Sequence, residues 1–183
     1  MPYVGTKTDL PEMRILESKV FGDNLGFFFE SFNHRDFQQA TILDLYFVQE
    51  NHCKSSPAIL RGLHYQIQHP QGQLVRVMQG AVFYVVVDWR RSSVNFGKLV
   101  GVKLSADNKR QMWSQPGFAH GSLVSSESTE LFNKTTDYWY PERERSLSWC
   151  DRPIGSDWPV VGKPKFAAKD ASGKVLAEAD AFA

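Results

Sequence analysis

The chain has 183 residues, of which 42% are hydrophobic and 22% charged, a composition typical of a globular protein with a buried core. Lys and Arg number 21 and Asp and Glu number 20, so the net charge is +1. This balance gives no reason to expect a nucleic acid or a membrane surface as a partner. No leader peptide and no bilayer-spanning apolar run is recognised. Cys53 and Cys150 are predicted to be reduced thiols, which favours a cytoplasmic location.

Short runs of β-branched and aromatic residues dominate the chain, and Gly-, Pro-, Ser- and Asn-containing turns separate them. A short helix is predicted first, over residues 32–39. Strands follow over residues 41–49, 74–78, 81–88, 98–104, 111–114, 121–125 and 130–136, and the Ala-rich tail over 175–183 is predicted to be helical. Many short strands at near-regular spacing predict an all-β antiparallel sandwich or barrel. Without a repeat or a linker, we predict a single domain over residues 1–183.

Five clusters place polar side chains where a strand pattern would place core residues. They are residues 23–30 (DNLGFFFE), 49–51 (QEN), 61–66 (RGLHYQ), 116–121 (PGFAHG) and 134–144 (KTTDYWYPERE). Buried polar groups are costly unless they have partners, so several of them converging in a barrel mouth would form a binding site. Each cluster also fits an ordinary explanation. Arg61 and His64 are compatible with an exposed edge strand, and His120 is compatible with the end of a turn.

A metal centre is the main rival for a β-barrel that contains histidines, and it needs at least three convergent His or carboxylate ligands. A His-x-His pair would be the expected contribution of the third cluster, but the chain has His64-Tyr65-Gln66 there. The ligand count therefore predicts no metal.

Taken together and in order, these clusters resemble the dTDP-4-dehydrorhamnose 3,5-epimerase family, a metal-free branch of the cupin jelly rolls. The resemblance runs from about Phe21 to Asp170 and includes the segments 60–66 (LRGLHYQ), 116–121 (PGFAHG) and 134–138 (KTTDY). Such a long ordered series is far more specific than any one motif. It implies an antiparallel jelly-roll barrel with short peripheral helices. It also implies a homodimer, no cofactor, and a nucleotide-linked 4-keto-6-deoxy sugar as substrate.

The resemblance also implies roles for particular residues. His64 would be the base that removes a proton beside the ketone, and Asp170 would orient it. Further positions would contact the sugar, the diphosphate or the nucleobase, the last by stacking on Trp139: Glu30, Gln49, Asn51, Arg61, His120, Trp139, Glu144 and Lys169. A C–H beside a ketone is acidic because the carbanion delocalises onto oxygen, so a histidine base and hydrogen-bond donors suffice for this chemistry.

Three positions depart from the family pattern. Asn133 stands where the family has a tyrosine that donates a proton to the opposite sugar face, Gln73 replaces a lysine, and Leu25 replaces an arginine. An amide cannot supply a proton as a phenol can. We therefore expect inversion at one carbon, with C3 favoured over C5, and reprotonation from water or from Tyr138. The loss of the arginine leaves dTDP, CDP and GDP as open alternatives for the nucleotide.

Three alternatives to this reading remain. One is the full 3,5-epimerase acting on dTDP-4-keto-6-deoxyglucose, and a second is a non-catalytic sugar-nucleotide-binding cupin. The third is a cupin 3,4-ketoisomerase, which moves the carbonyl instead of inverting a carbon.

Overall fold

A computed structural model describes residues 3–155, 157–160 and 162–183, and it is built mainly of antiparallel strands. One sheet has six strands and a second has five, and a small hairpin projects from them. In chain order the strands are β1 (Val4–Lys7), β2 (Arg14–Glu17), β3 (Phe21–Asp23), β4 (Gly26–Phe28), β5 (Gln49–Ser55), β6 (Leu60–Gln66), β7 (Gln73–Gln79), β8 (Ala81–Asp88), β9 (Leu99–Ser105), β10 (Gln111–Ser114), β11 (Phe118–Val124), β12 (Thr129–Thr135) and β13 (Glu144–Ser146).

The two larger sheets face each other as the two walls of a jelly-roll barrel, which confirms the predicted fold class. The six-stranded sheet has the order β1-β2-β10-β7-β12-β5, and the five-stranded sheet has the order β13-β6-β11-β8-β9. Side chains alternate along each strand, so Val82, Tyr84 and Val86 of β8 join a core that includes Val75 and Val77 of β7. This core occupies the space between the two sheets.

The five-stranded sheet is buried on both faces. Val85 and Val87 of β8 point away from the barrel and pack in a second core with Trp89, Leu147 and Ala179. A strand covered on both sides reads as a nearly continuous apolar run, which explains the sequence of residues 81–88. The covering layer comes from the C-terminal part of the chain.

Two helices lie at the periphery: α1 (His34–Thr41) and the single-turn α2 (Ala168–Ala171). The side chain of Asn33 accepts a hydrogen bond from the Asp36 N–H and so caps α1, which starts two residues later than predicted. Phe37 of α1 packs on Trp113 with ring centroids 5.0 Å apart, and this contact anchors α1 to the outer face of the six-stranded sheet.

Six of the seven predicted strands are confirmed within a few residues, and β8 and β10 match their predicted bounds. The strand predicted over residues 41–49 is wrong, because α1 extends to Thr41 and β5 begins only at Gln49. Leu43, Leu45 and Phe47 alternate as in a strand, but they only pack against the aromatic cluster around Phe37. Their alternation reflects one-sided packing without a strand partner.

The helix predicted over residues 175–183 is also wrong. This segment forms turns, and Phe182 makes an isolated parallel bridge with Arg90. The carbonyl of Asp180 accepts hydrogen bonds from the Trp89 indole at 2.7 Å and from the Tyr65 hydroxyl at 2.5 Å. Tertiary contacts with the outer face of the five-stranded sheet therefore override the helix propensity of the alanines.

Candidate active site

The mouth of the barrel contains a cavity of about 280 Å³, which we call the outer cavity. A smaller inner cavity of about 130 Å³ lies deeper between the sheets. Four residues line both cavities: His64, Gln73, His120 and Asn133. Most of the polar residues singled out in the sequence therefore converge on one place. The outer cavity is lined by Gln49, Asn51, His64, Tyr65, Gln66, Gln71, Gln73, His120, Asn133, Trp139 and Glu144.

His64 on β6 forms a short hydrogen bond with Asp170, with 2.5 Å between Nε2 and Oδ1. The two residues are 106 positions apart in the chain. The C-terminal segment is fixed along β6 by the hydrogen bond from the Leu60 N–H to the Lys165 carbonyl, and this fixes the position of Asp170 in α2. With Nε2 held by the carboxylate, Nδ1 is the ring nitrogen left to act as a base.

Asp170 is 2% exposed and accepts further hydrogen bonds from the backbone N–H groups of Gly62 and Ala167. Burial raises the pKa of Asp170, but the hydrogen bond and charge of His64, with the two N–H groups, outweigh it. The pKa of Asp170 therefore lies below its ordinary value, and the carboxylate stays ionised beside the imidazole. An ionised partner of this kind fixes the tautomer of the histidine and stabilises the imidazolium once it forms.

A close approach of two strands positions the second histidine. Gly62 on β6 has φ +112°, and a Cβ atom there would lie 2.6 Å from the His120 carbonyl oxygen. Gly121 on β11 is equally confined, with a built Cβ 2.8 Å from the Arg61 carbonyl oxygen. Only glycine fits this approach, which makes His64 and His120 direct neighbours across β6 and β11.

His120 lines both cavities deep in the barrel. Burial, with a smaller contribution from the charge of His64, lowers the pKa of His120 to about 3. The imidazole is therefore neutral at physiological pH, and it can donate or accept a hydrogen bond without adding charge. A neutral hydrogen-bond donor beside His64 would suit the polarisation of a substrate oxygen.

Among the described residues, the facing wall from the six-stranded sheet places the amides of Asn133 and Gln73 in both cavities. The Asn133 side chain donates to the Gln73 side-chain oxygen at 3.1 Å, and Gln73 is 5% exposed. Nearer the mouth, the Gln49 amide donates to the Asn51 side-chain oxygen at 2.8 Å. This wall can form hydrogen bonds with hydroxyl and phosphoryl oxygens, but its amides cannot act as acids.

Trp139 lies at the outer rim, with 53% of its surface exposed and its backbone N–H bonded to Gln49 Oε1 at 3.1 Å. Glu144 lines the same rim and forms an ion pair with Lys169, with 2.9 Å between Oε1 and Nζ. An exposed indole beside a paired cation provides a flat surface and a charge at the entrance.

Five residues proposed from the sequence do not line the outer cavity. Two of them, Asp170 and Lys169, contact the lining residues His64 and Glu144. Arg61 lines only the inner cavity, and its Nε donates to Ser55 Oγ at 3.0 Å. Glu30 follows β4, and its carbonyl accepts a hydrogen bond from Ser18. Tyr138 is 56% exposed and lines neither cavity, so its position does not favour a role as the proton donor.

Tyr84 also lines the inner cavity, and no sequence pattern indicated it. This residue lies inside the apolar run of β8, where an aromatic side chain reads as ordinary core. Only its lack of a hydrogen-bond partner among the described residues distinguishes it. Within those same residues no group of three or more His, Cys, Asp or Glu could hold a metal ion. None of the helices described is long and apolar enough to cross a membrane.

The jelly-roll barrel with a His–Asp pair in its mouth defines a class of sugar-nucleotide epimerases, and comparison with known proteins agrees. The profile of the dTDP-4-dehydrorhamnose 3,5-epimerase family matches residues 7–178. The chain belongs to this family and is an isomerase. It is 51% identical to the dTDP-4-dehydrorhamnose 3,5-epimerase of Pseudomonas aeruginosa over 177 residues, covering 97% of this chain and 98% of that protein.

Similar solved structures include both a 3,5-epimerase and a 3'-monoepimerase. The 3,5-epimerase of Legionella pneumophila, solved in complex with dTDP-4-keto-L-rhamnose, is 43% identical and superposes with a TM-score of 0.95, covering 97% of this chain and 95% of that one. The 3'-monoepimerase ChmJ of Streptomyces bikiniensis, in complex with dTDP-quinovose, is 27% identical with a TM-score of 0.87, covering 93% and 87%. The same fold therefore serves proteins described as double and as single epimerases.

Proposed function

We propose that this epimerase inverts a single carbon, with C3 favoured, next to the C4 ketone of a nucleotide-linked 4-keto-6-deoxy sugar. In this mechanism His64 Nδ1 removes the proton from that carbon, and the electron pair moves into an enolate whose negative charge lies on the C4 oxygen. Asp170 stabilises the imidazolium that results, and His120 donates to the enolate oxygen. A proton delivered to the opposite face completes the inversion.

The observation that carries this proposal is the contrast between the two walls of the barrel. His64 and Asp170 form a short, buried pair on one wall, whereas Asn133 and Gln73 bond to each other on the facing wall. A sugar ring held between the sheets would meet a base on one side and two amides on the other. Among the described residues that line the cavities from the six-stranded sheet, none carries a carboxylic acid or a phenol. This disfavours protonation from that side at both carbons that flank the ketone.

The nucleotide-sugar substrate is proposed to enter with its nucleobase against Trp139 and its diphosphate near the rim. Lys169 supplies a cation there, although its charge is shared with Glu144. Leu25, at the tip of the β3–β4 hairpin, is 91% exposed and supplies no charge. CDP-, GDP- and dTDP-linked sugars therefore remain three candidates, and the pathway is deoxysugar synthesis for surface polysaccharide or O-antigen.

The protein is further proposed to be a cytoplasmic homodimer. The β3–β4 hairpin exposes Phe21, Phe27 and Phe28, each more than 40% accessible, and such an apolar patch is typical of a covered surface. Sedimentation of the wild type and of the double variant Phe27→Ser/Phe28→Ser tests this. A dimer that dissociates in the variant supports the proposal, and a monomeric wild type contradicts it. Cys53 and Cys150 are both unpaired, as expected for a reducing compartment.

The proposed reaction is tested with a panel of CDP-, GDP- and dTDP-4-keto-6-deoxyglucose and NMR identification of the product. We expect one nucleotide to give a sugar inverted at one carbon. Inversion at both carbons would identify the full 3,5-epimerase, and a shifted carbonyl would identify a ketoisomerase. If the wild type converts none of the three nucleotide sugars faster than the His64→Gln control does, the protein is a non-catalytic sugar-nucleotide binder.

A further inference from the structure

Gln66, the last residue of β6, has a buried amide whose hydrogen bonds all go to the protein backbone. The side chain lines the outer cavity, although the residue is only 4% exposed. Its Nε2 donates to the His69 carbonyl at 2.7 Å and to the Tyr138 carbonyl at 2.9 Å. Its Oε1 accepts from the Tyr140 N–H at 2.7 Å. Both N–H donors are used, so Gln66 has none left for a substrate.

Two of these three hydrogen bonds flank Trp139. Residues 138–140 belong to no helix or strand, so no sheet partner holds their backbone. Gln66 holds the residue on either side of Trp139, and Gln49 Oε1 accepts from the Trp139 N–H itself at 3.1 Å. The indole is 53% exposed, so packing restrains it only in part. The hydrogen bonds to this backbone are therefore an important restraint on where the indole lies.

Another side chain, His69, supports the same loop farther from the indole. Its ring stacks on Tyr140, with the centroids 4.3 Å apart, and its Nδ1 lies 3.2 Å from the Asp137 carboxylate. Gln66 also holds the carbonyl of His69. Among the described residues, Gln66 is the side chain that hydrogen-bonds to both neighbours of Trp139.

Strand β6 links this loop to the catalytic base. Side chains two residues apart on a strand point to the same face, and Gln66 and His64 both line the outer cavity. Two residues of a strand span about 6.6 Å. The strand is paired on both sides, with β11 at His64 and with β13 at Gln66. A rigid strand therefore sets the spacing between the base and the loop that carries Trp139.

We propose that Gln66 is a positioning residue for nucleotide binding, which holds the Trp139 loop so that the indole can stack on the nucleobase. This inference rests on the proposed function, in which the nucleobase lies against Trp139. Gln66 acts through Trp139. A loop that is fixed before the nucleotide arrives loses less conformational entropy on binding. Removing the hydrogen bonds of Gln66 should therefore weaken nucleotide binding and leave the chemistry at His64 nearly intact.

The test is a double-mutant cycle of Gln66→Met and Trp139→Ala in the full chain, with calorimetric binding of dTDP, CDP and GDP. Methionine is close to glutamine in length but has no N–H donor. Each single variant should bind the preferred nucleotide about tenfold or more weakly, the scale of one base stacked on an aromatic side chain. In the Trp139→Ala background, Gln66→Met should weaken binding by less than about twofold. Gln79→Met, at an exposed glutamine that lines neither cavity, is the matched control and should bind as wild type does.

Kinetics give a second readout, which a general loss of folding would not produce. Gln66→Met should raise the KM for the nucleotide sugar about tenfold while kcat stays within about threefold of wild type, because binding is lost equally from the ground state and the transition state. Asp170→Asn should show the opposite division between kcat and KM. A fall in kcat at unchanged KM in Gln66→Met would overturn the inference.

Gln66→Glu keeps the shape of the side chain and is the second variant if Gln66→Met does not fold. Burial beside two carbonyl oxygens should raise the pKa of the new carboxyl, and its neutral form can donate one of the lost hydrogen bonds. The affinity of this variant for the nucleotide, relative to wild type, should therefore rise as the pH falls from about 8 to about 5. A ratio that is the same at every pH would contradict the role of the donated hydrogen bonds.

The cycle separates this inference from the proposed function. Equal weakening by Gln66→Met with and without the indole of Trp139 would indicate a general structural role and overturn the inference. If the wild type binds none of the three nucleotides, the stacking role of Trp139 fails and the inference falls with it. If the wild type binds a nucleotide but inverts no 4-keto sugar, the proposed reaction fails, and the cycle still decides the role of Gln66.

Discussion

The two walls of the barrel differ in what they can do to a proton. The five-stranded sheet holds His64 against the ionised Asp170 and sets the neutral His120 beside it. At the same depth, the six-stranded sheet presents Asn133 and Gln73 bonded to each other. In the proposed mechanism, the first wall therefore provides the base, and the two amides of the second provide hydrogen bonds. A fold can retain one half of an acid–base pair and change the other, because the two halves lie on different sheets.

The largest effect is expected from removing the base. His64→Gln keeps a polar side chain opposite Asp170 but has no basic nitrogen, so turnover should fall on the order of 10³–10⁴-fold. Product NMR on the accepted nucleotide sugar measures this, with circular dichroism to verify folding. Activity within tenfold of wild type would show that another residue is the base.

A somewhat smaller loss is expected from Asp170→Asn, which keeps the shape of the side chain and removes its charge. The imidazolium formed during the reaction would lose its stabilising partner, so kcat should fall about 10²–10³-fold. The KM should change little, because Asp170 is buried behind His64 and lines neither cavity. A variant that loses substrate affinity while kcat is maintained would contradict the assignment of an orienting role.

We call the side of the six-stranded sheet that carries Asn133 and Gln73 the amide wall. Its role is tested by Asn133→Tyr, which introduces a phenol opposite His64 and breaks the hydrogen bond with Gln73. If the missing acid restricts the enzyme to one carbon, this variant should form the doubly inverted product at about tenfold or more above the wild-type level. NMR of the product mixture reads this directly, and Asn133→Phe is the control of equal bulk without the hydroxyl. Equal product ratios in both variants would show that the wall does not set the outcome.

The smallest effect concerns stability and pH. The pKa of His120 is about 3 in the folded protein and near 6.5 in an unfolded chain, so the unfolded state binds more protons between these values. Stability should therefore decline as pH falls below about 6.5, by about 1–2 kcal/mol at pH 5. His120→Gln should flatten this part of the curve in urea unfolding between pH 7 and pH 5. An identical slope in both proteins would contradict the assignment of a neutral His120.

Local pattern predicted the strands well where one physical factor dominates. The bounds of β8 and β10 were predicted correctly, and nearly all residues of these two strands are buried. Residues 41–49 and 175–183 were misassigned because tertiary packing decides their conformation. Leu43 and Phe47 alternate to meet an aromatic cluster, and the tail is held by hydrogen bonds to Trp89 and Tyr65.

The candidate site shows the same division. The ordered motifs identified His64, His120 and the amide positions, and the structure brings these residues into one cavity. The pairing of His64 with Asp170 across 106 positions has no local signature and came only from the family resemblance. Tyr84 could not be distinguished from core residues, since its unpaired hydroxyl becomes visible only in three dimensions.

The most direct test of the central claim is the position of deuterium after the wild-type enzyme acts on its 4-keto-6-deoxy sugar nucleotide in D2O. The two unequal walls predict label and inversion at a single carbon beside the ketone, with neither in His64→Gln. Label at both C3 and C5, in a product inverted at both, would show that the amide wall does not limit the enzyme to one proton transfer.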